Sequence, residues 1–139
     1  MTMHEPRRKR LALLGALLIG VVVAAGMAGG TRWYSQHQSE AVARALTAGE
    51  PSRAPDIIRR YGCSGCHTIP GIPGADGLVG ASLSDIKRRV YVGGVAFNSP
   101  ENLVRWIVSP QTFSEHSAMP ATGISEAEAR DVAAYLYAR

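Results

Sequence analysis

Cys63-Ser64-Gly65-Cys66-His67 places two thiols three residues apart and sets an imidazole next to the second. This pattern suits covalent attachment of one haem. The two sulfurs bond its vinyl groups, and the following imidazole is set beneath the iron. The chain has 2 cysteines in all, so no third or fourth thiolate remains for a zinc site built from cysteines. A structural or thioredoxin-like disulfide is the other common use of C-x-x-C, but the redox version belongs in a βαβ setting and no strand pattern surrounds this one. An iron that passes electrons without binding gases needs a sixth ligand, and a thioether is a common one that raises the potential. Beyond the N-terminal segment one methionine remains, Met119, in Ala118-Met119-Pro120. A lone Met is ordinarily core filler; with a haem expected and a proline-stiffened loop as its setting, Met119 becomes the preferred axial ligand. His116 is the alternative, although beside Glu115 it reads more simply as a solvated loop histidine. His37 and His4 fall in segments too remote to reach the haem. Trp106 has two readings that the sequence does not separate, an indole N–H donated to a haem propionate or plain buried apolar area.

The elements that must hold these residues are all helical by their signals, with no convincing strand and no repeat. Pro55-Asp56 marks a helix start, with Ile57, Ile58 and Tyr61 available to a core, and Gly62 ends it. The stretch 68–80 (TIPGIPGADGLVG) is too rich in Gly and Pro for a helix or a central strand, so it reads as a loop wrapped around something. A short helix is expected over about Leu83–Val90, with Ser82 as cap and Asp85 at its third position, followed by a turn at Tyr91-Val92-Gly93-Gly94. Ser99-Pro100-Glu101 starts a further helix that stops at Ser109-Pro110. Ser125 and Glu128 form a capping box for the last one, in which Ala129, Val132, Ala133, Leu136 and Tyr137 recur at helical spacing. A domain this small has little apolar core of its own, so the haem is expected to complete it and the form without haem to be largely unfolded.

Ahead of this domain, Leu11 to Gly30 is a run of twenty uncharged residues, about 30 Å as a helix and enough to cross a bilayer. Arg7, Arg8, Lys9 and Arg10 precede it and Trp33-Tyr34 come after it, the arrangement that keeps the N-terminus cytoplasmic and seats aromatic rings at a headgroup interface. The rival reading is a cleaved signal peptide, with Val23-Ala24-Ala25 or Gly26-Met27-Ala28 as the small-residue site. The run is longer than a typical signal core, which favours the anchor, and either reading exports the domain to the compartment where haem is attached to thiols. The organisation read from the sequence is thus a basic cytoplasmic tail (1–10), a transmembrane anchor (11–30), a linker (31–53) that either swings or acts as a strut, and a mono-haem domain (54–139). Lys and Arg number 15 against 11 Asp and Glu, a net +4, but the excess sits in the tail and leaves the remainder near neutral. Nucleic-acid binding is excluded on that distribution, with no basic stripe interleaved with aromatics. Lys87, Arg88 and Arg89 form a basic cluster, either steering an acidic partner or simply a solvated face.

From about Ala54 to Arg139 these residues resemble the class I cytochromes c, with C-x-x-C-H after a first helix, a single Met-Pro loop far downstream and a C-terminal helix. Asn98-Ser99-Pro100-Glu101-Asn102-Leu103-Val104-Arg105-Trp106-Ile107, with Pro110-Gln111 and Ala118-Met119-Pro120, looks like the haem domain fused to subunit II of some haem-copper oxidases. The resemblance implies an all-α fold of short helices and loops around one haem, with the first and last helices crossing so that Ile58 and Tyr61 meet Val132, Tyr135 and Leu136. It also implies His67 and Met119 as axial ligands and Trp106 near a propionate. The chain departs from the pattern where Ala81, not Pro, follows Gly80; a carbonyl can still accept from His67, without the stiffness of proline. The resemblance is to the haem module alone, without the copper-binding domain of a subunit II.

These residues together imply an electron carrier, not an enzyme in its own right. It would be held in the inner membrane by a single span and its own lipid contacts, with the haem c on the periplasmic side. There it would exchange single electrons between a quinol-oxidising complex and a terminal oxidase. A haem-based ligand sensor, or a relay subunit fixed in another redox complex, is the alternative.

Overall fold

A computed structural model of the chain describes residues 5–139, with side chains from residue 9 onward. The first four residues of the basic tail, His4 among them, lie outside the described residues. The chain divides into two compact units, residues 1–35 and 36–139.

Helix α1 spans Glu5–Thr47. In the first unit its Leu, Ile and Val side chains from Leu11 to Val23 stand exposed, and among the described residues α1 is the one helix long and apolar enough to cross a membrane.

In the second unit the segment expected to be a linker is largely helical, because α1 continues through it to Thr47. Ala-rich sequence offers no break there, and residues Ala43 and Thr47 are buried. Past α1, Ala48 and Gly49 turn the chain, and Gly49 lies so close to the Arg130 carbonyl that a Cβ would overlap it. The buried Asp131 carboxylate accepts from the Glu50 N–H at 2.6 Å and pairs with Arg53 at 3.4 Å. Arg44 grips Glu50 with two bonds of 2.9 and 2.8 Å. Residues 36–53 are therefore part of the domain's packing.

Of the next helices, α2 (Ala54–Arg60), α4 (Pro100–Val108) and α5 (Glu126–Ala138) match the expected signals; α3 (Cys63–Cys66) is a single turn. Pro55 and Asp56 lie in the first turn of α2, and Gly62 just beyond it takes a φ of 69°, a left-handed conformation that glycine adopts without strain. Ser99 caps α4 by accepting from the Asn102 N–H at 3.2 Å. Ser125 and Glu128 form the capping box of α5. Helix α5 packs on α2, on α4 and on a 3-10 turn at Pro51–Arg53, so Ile57, Ile58, Leu103, Val132, Tyr135 and Leu136 make one core with Tyr61 against it. The crossing of first and last domain helices is as the resemblance implied, and the fold is mainly helical.

Two expectations fail between residues 81 and 97. The helix over Leu83–Val90 is only a 3-10 turn, Ile86–Arg88. Ser82 closes a local turn onto Ser84 instead of capping, and Asp85 takes a φ of 55°. The carbonyls of Ile86 and Arg89 accept from the Asn98 side chain at 2.7 and 2.9 Å. Such side-chain bonds compete directly with helix. The chain is also not wholly without strand: β1 (Tyr91–Val92) and β2 (Ala96–Phe97) pair antiparallel, with Tyr91 opposite Phe97. Gly93 and Gly94, at φ 56° and 75°, make the turn, and the flanking β-branched and aromatic residues supply strand preference.

Candidate functional site

The site begins with α3, the single helical turn Cys63–Cys66. One turn of spacing sets both thiols on one side of it. The turn ends because His67 is extended (φ −115°, ψ 141°), while its N–H still bonds the Cys63 carbonyl at 3.0 Å. The glycine-rich loop then folds back over this turn. Gly80 N–H donates to the Cys66 carbonyl at 2.8 Å, Leu83 N–H to the Thr68 carbonyl at 2.8 Å, and the Thr68 hydroxyl to the Gly77 carbonyl at 3.1 Å. A Cβ at Gly80 would overlap the His67 ring, and one at Gly77 would meet the Gly65 and Cys66 backbone. Both glycines are needed for the approach of backbone to turn.

His67 Nδ1 lies 2.6 Å from the Ala81 carbonyl. A carbonyl only accepts, so Nδ1 carries the proton and Nε2 keeps its lone pair for a metal. The residue that departs from the family pattern thus still orients the imidazole. Burial pushes the Cys63 thiol up, the opposite of the depressed thiol that marks a redox-active dithiol.

Beside this turn lies a cleft of two lobes, about 440 and about 130 Å³, that share His67, Gly80, Ala118 and Met119 in their walls. The larger is lined by Leu83, Ile86, Tyr91, Val92, Leu103 and Trp106, and the smaller by Tyr61, Cys63, Cys66, Val79 and Pro120. Cys63, Cys66, His67, Met119 and Trp106 therefore all border this one cleft, although Trp106 and Met119 lie far along the chain from the C-x-x-C-H turn. His116 is exposed and lines neither lobe. Trp106 packs over Gly93, where a Cβ would strike its ring, and lies 6.1 Å from Phe113 between centroids.

The lining fits a haem: apolar walls for the ring, two thiols at one rim, and an imidazole and a thioether in the shared wall as ligands of the kinds that haem iron takes. Val79, 84 % exposed in the wall of the smaller lobe, is an apolar side chain suited to lie against a ring edge. Arg89 is the residue that sequence reasoning does not single out. Lys87 and Arg88 are exposed, but Arg89 lines the larger lobe and donates to the Ser82 carbonyl and, at 3.1 Å, to the Ser84 carbonyl. A three-residue basic run carries no periodicity to distinguish one member. At the other end Tyr61 donates to Glu128 at 2.9 Å, and Arg60 pairs with the same carboxylate at 2.9 Å. The Tyr61 phenol is raised by that bond to Glu128; the carboxyl is lowered, first by Ser125 and then by Tyr61. The pair ties α2 to α5 next to the smaller lobe.

A family profile described as Cytochrome c matches residues 52–138. The "Cytochrome c oxidase subunit 2" of Alkalihalophilus pseudofirmus is 31 % identical over 81 residues, which are 58 % of this chain and 23 % of that relative. The match thus spans under a quarter of the relative's length. No solved structure matches the chain significantly.

Proposed function

The chain belongs to the cytochrome c family, whose domain carries out haem-based electron transfer, and from that premise we propose that it is a membrane-anchored, mono-haem electron carrier serving a terminal oxidase. Cys63 and Cys66 hold the one haem covalently, and His67 and Met119 are its axial ligands. The bound haem supplies an iron that alternates between ferrous and ferric by one electron. The protein's own part is to orient and to exclude. Ala81 keeps the Nδ1 proton on His67, the apolar walls keep water from the ring, and Arg89 and Trp106 offer donors to its carboxylates. A thioether sixth ligand raises the potential and closes the iron to gases.

One observation carries this reading: both thiols, the imidazole and the thioether border one cleft. The oxidase as partner is supported by the relative's identity as an oxidase subunit 2. A quinol-oxidising complex is the donor that this reading assigns to it. The anchor is supported by the length and apolarity of α1 and puts the haem domain on the periplasmic face of the inner membrane. Tethering there raises the carrier's effective concentration at membrane enzymes.

The test is the absorption spectrum in both oxidation states. The ferric protein is expected to show the weak long-wavelength band of sulfur ligation and to lose it in Met119→Ala. Bound haem without that band would instead point to His116 or an open iron site, and to ligand sensing. For the anchor, haem protein released from membranes by a high-pH wash would count against a span.

A further inference from the structure

Residues 113–125 join the 3-10 turn Pro110–Thr112 to α5 with no helix or strand between. Met119 sits within this stretch, and Pro120 after it has no N–H to give. Two side chains hold the Met119 backbone: its N–H donates to Ser117 Oγ at 3.2 Å, and its carbonyl accepts from Gln111 Nε2 at 2.8 Å. The two differ in kind. Ser117 belongs to the same loop and moves with it. Gln111 belongs to the turn directly after α4, and its neighbour Pro110 is fully buried. Among the described residues, the bond from Gln111 is the one hydrogen bond that ties residues 118–124 to a helix or turn outside the loop. Since a carbonyl can only accept, the Gln111 amide must present its NH2 group.

We infer that Gln111 is a positioning residue: it fixes the Met119 carbonyl so that the thioether stays at the sixth position, and it thereby governs how readily an outside ligand displaces the sulfur. The inference rests on Met119 being the axial ligand, as proposed above. Without the bond, loop conformations that withdraw the sulfur gain weight by roughly the net worth of one hydrogen bond, about three- to tenfold in an equilibrium.

The experiment is an imidazole titration of the ferric, haem-loaded, full-length protein, monitored through the long-wavelength sulfur band. In Gln111→Leu, half-displacement is expected at an imidazole concentration about three- to tenfold below that of the wild type. Gln111→Lys, which restores an N–H donor, is expected to recover most of the difference. A Gln111→Leu titration that overlays the wild type overturns the inference even if the melting temperature falls, because that is what a merely structural role would do. Should the Leu variant fail to take up haem, Gln111→Glu, of equal length with no N–H to donate, carries the same measurement. Failure of the underlying ligand assignment looks different: the wild type lacks the band, or Met119→Ala keeps it. Either result ends this inference as well.

Discussion

The two sides of the haem cleft are built in opposite ways. On the His67 side, a helical turn, a glycine-rich loop and the Ala81 carbonyl interlock through backbone bonds of 2.8 to 3.0 Å and an imidazole bond of 2.6 Å. On the Met119 side, two side chains hold a loop that has no helix or strand. The first side resists change through many cooperating contacts. The second depends on few, so its ligand is the one a modest perturbation can dislodge.

The largest expected effect comes from removing the covalent link on the rigid side. Cys63→Ala combined with Cys66→Ala is expected to leave no haem on the denatured polypeptide and a largely unfolded domain, since the haem completes the small core. A cooperative, fully helical melt of that variant by circular dichroism would break the comparison. Next comes Gly80→Val, which forces a side chain into the His67 ring. Overpacking there should cost about 1–3 kcal/mol in denaturant unfolding. Met119→Ala, on the sparser side, should lose the sulfur band and admit carbon monoxide while keeping covalent haem and a folded domain. Loss of haem in that variant would show that the two sides are not independent.

The smallest effect is expected away from both sides, at Glu50. Its carboxyl is pulled down to about 2, first by the Arg44 guanidinium and then by Ser52. A carboxyl lowered by folding adds stability above its ordinary value near 4.5, and that stability is lost as the pH falls towards about 2. Glu50→Gln should therefore flatten the pH dependence of unfolding in that window. The sulfur band should not move. At the alkaline end Tyr137 is pushed up to about 12, chiefly by burial and then by Glu101. Its contribution is present below pH 10 and lost between about 10 and about 12, so Tyr137→Phe should flatten the pH dependence of unfolding there.

Much of the fold is legible from local signals. The starts of α4 and α5 rest on capping residues within three positions of each other, and α2 on a proline and a glycine at its two ends. The residues between 81 and 97 are not legible in this way. There Asp85 takes a left-handed φ, and the Ile86 and Arg89 carbonyls bind Asn98 from beyond the hairpin. The Gly-Gly turn can be read from sequence, but strands of two residues each are too short to show an alternating pattern. Residues 36–53 look like a linker because polar, Ala-rich sequence is equally at home in solution and against α5. Contacts made from distant α5 distinguish the two: Ala43 packs on Ala134 and Ala138, and Asp131 binds the Glu50 N–H and Arg53.

By itself the sequence determined the chemistry that is local: C-x-x-C-H, a lone downstream methionine in a Pro loop, and a twenty-residue apolar run. Covalent reach and helix capping act over a few residues and are written in the order of the chain. The tertiary structure alone decided that Arg89 and not Arg88 enters the cleft and that Gln111 holds Met119. Each of these is a hydrogen bond or a wall made between segments separated in sequence, and its partner is set by how helices and loops pack, which no spacing rule encodes.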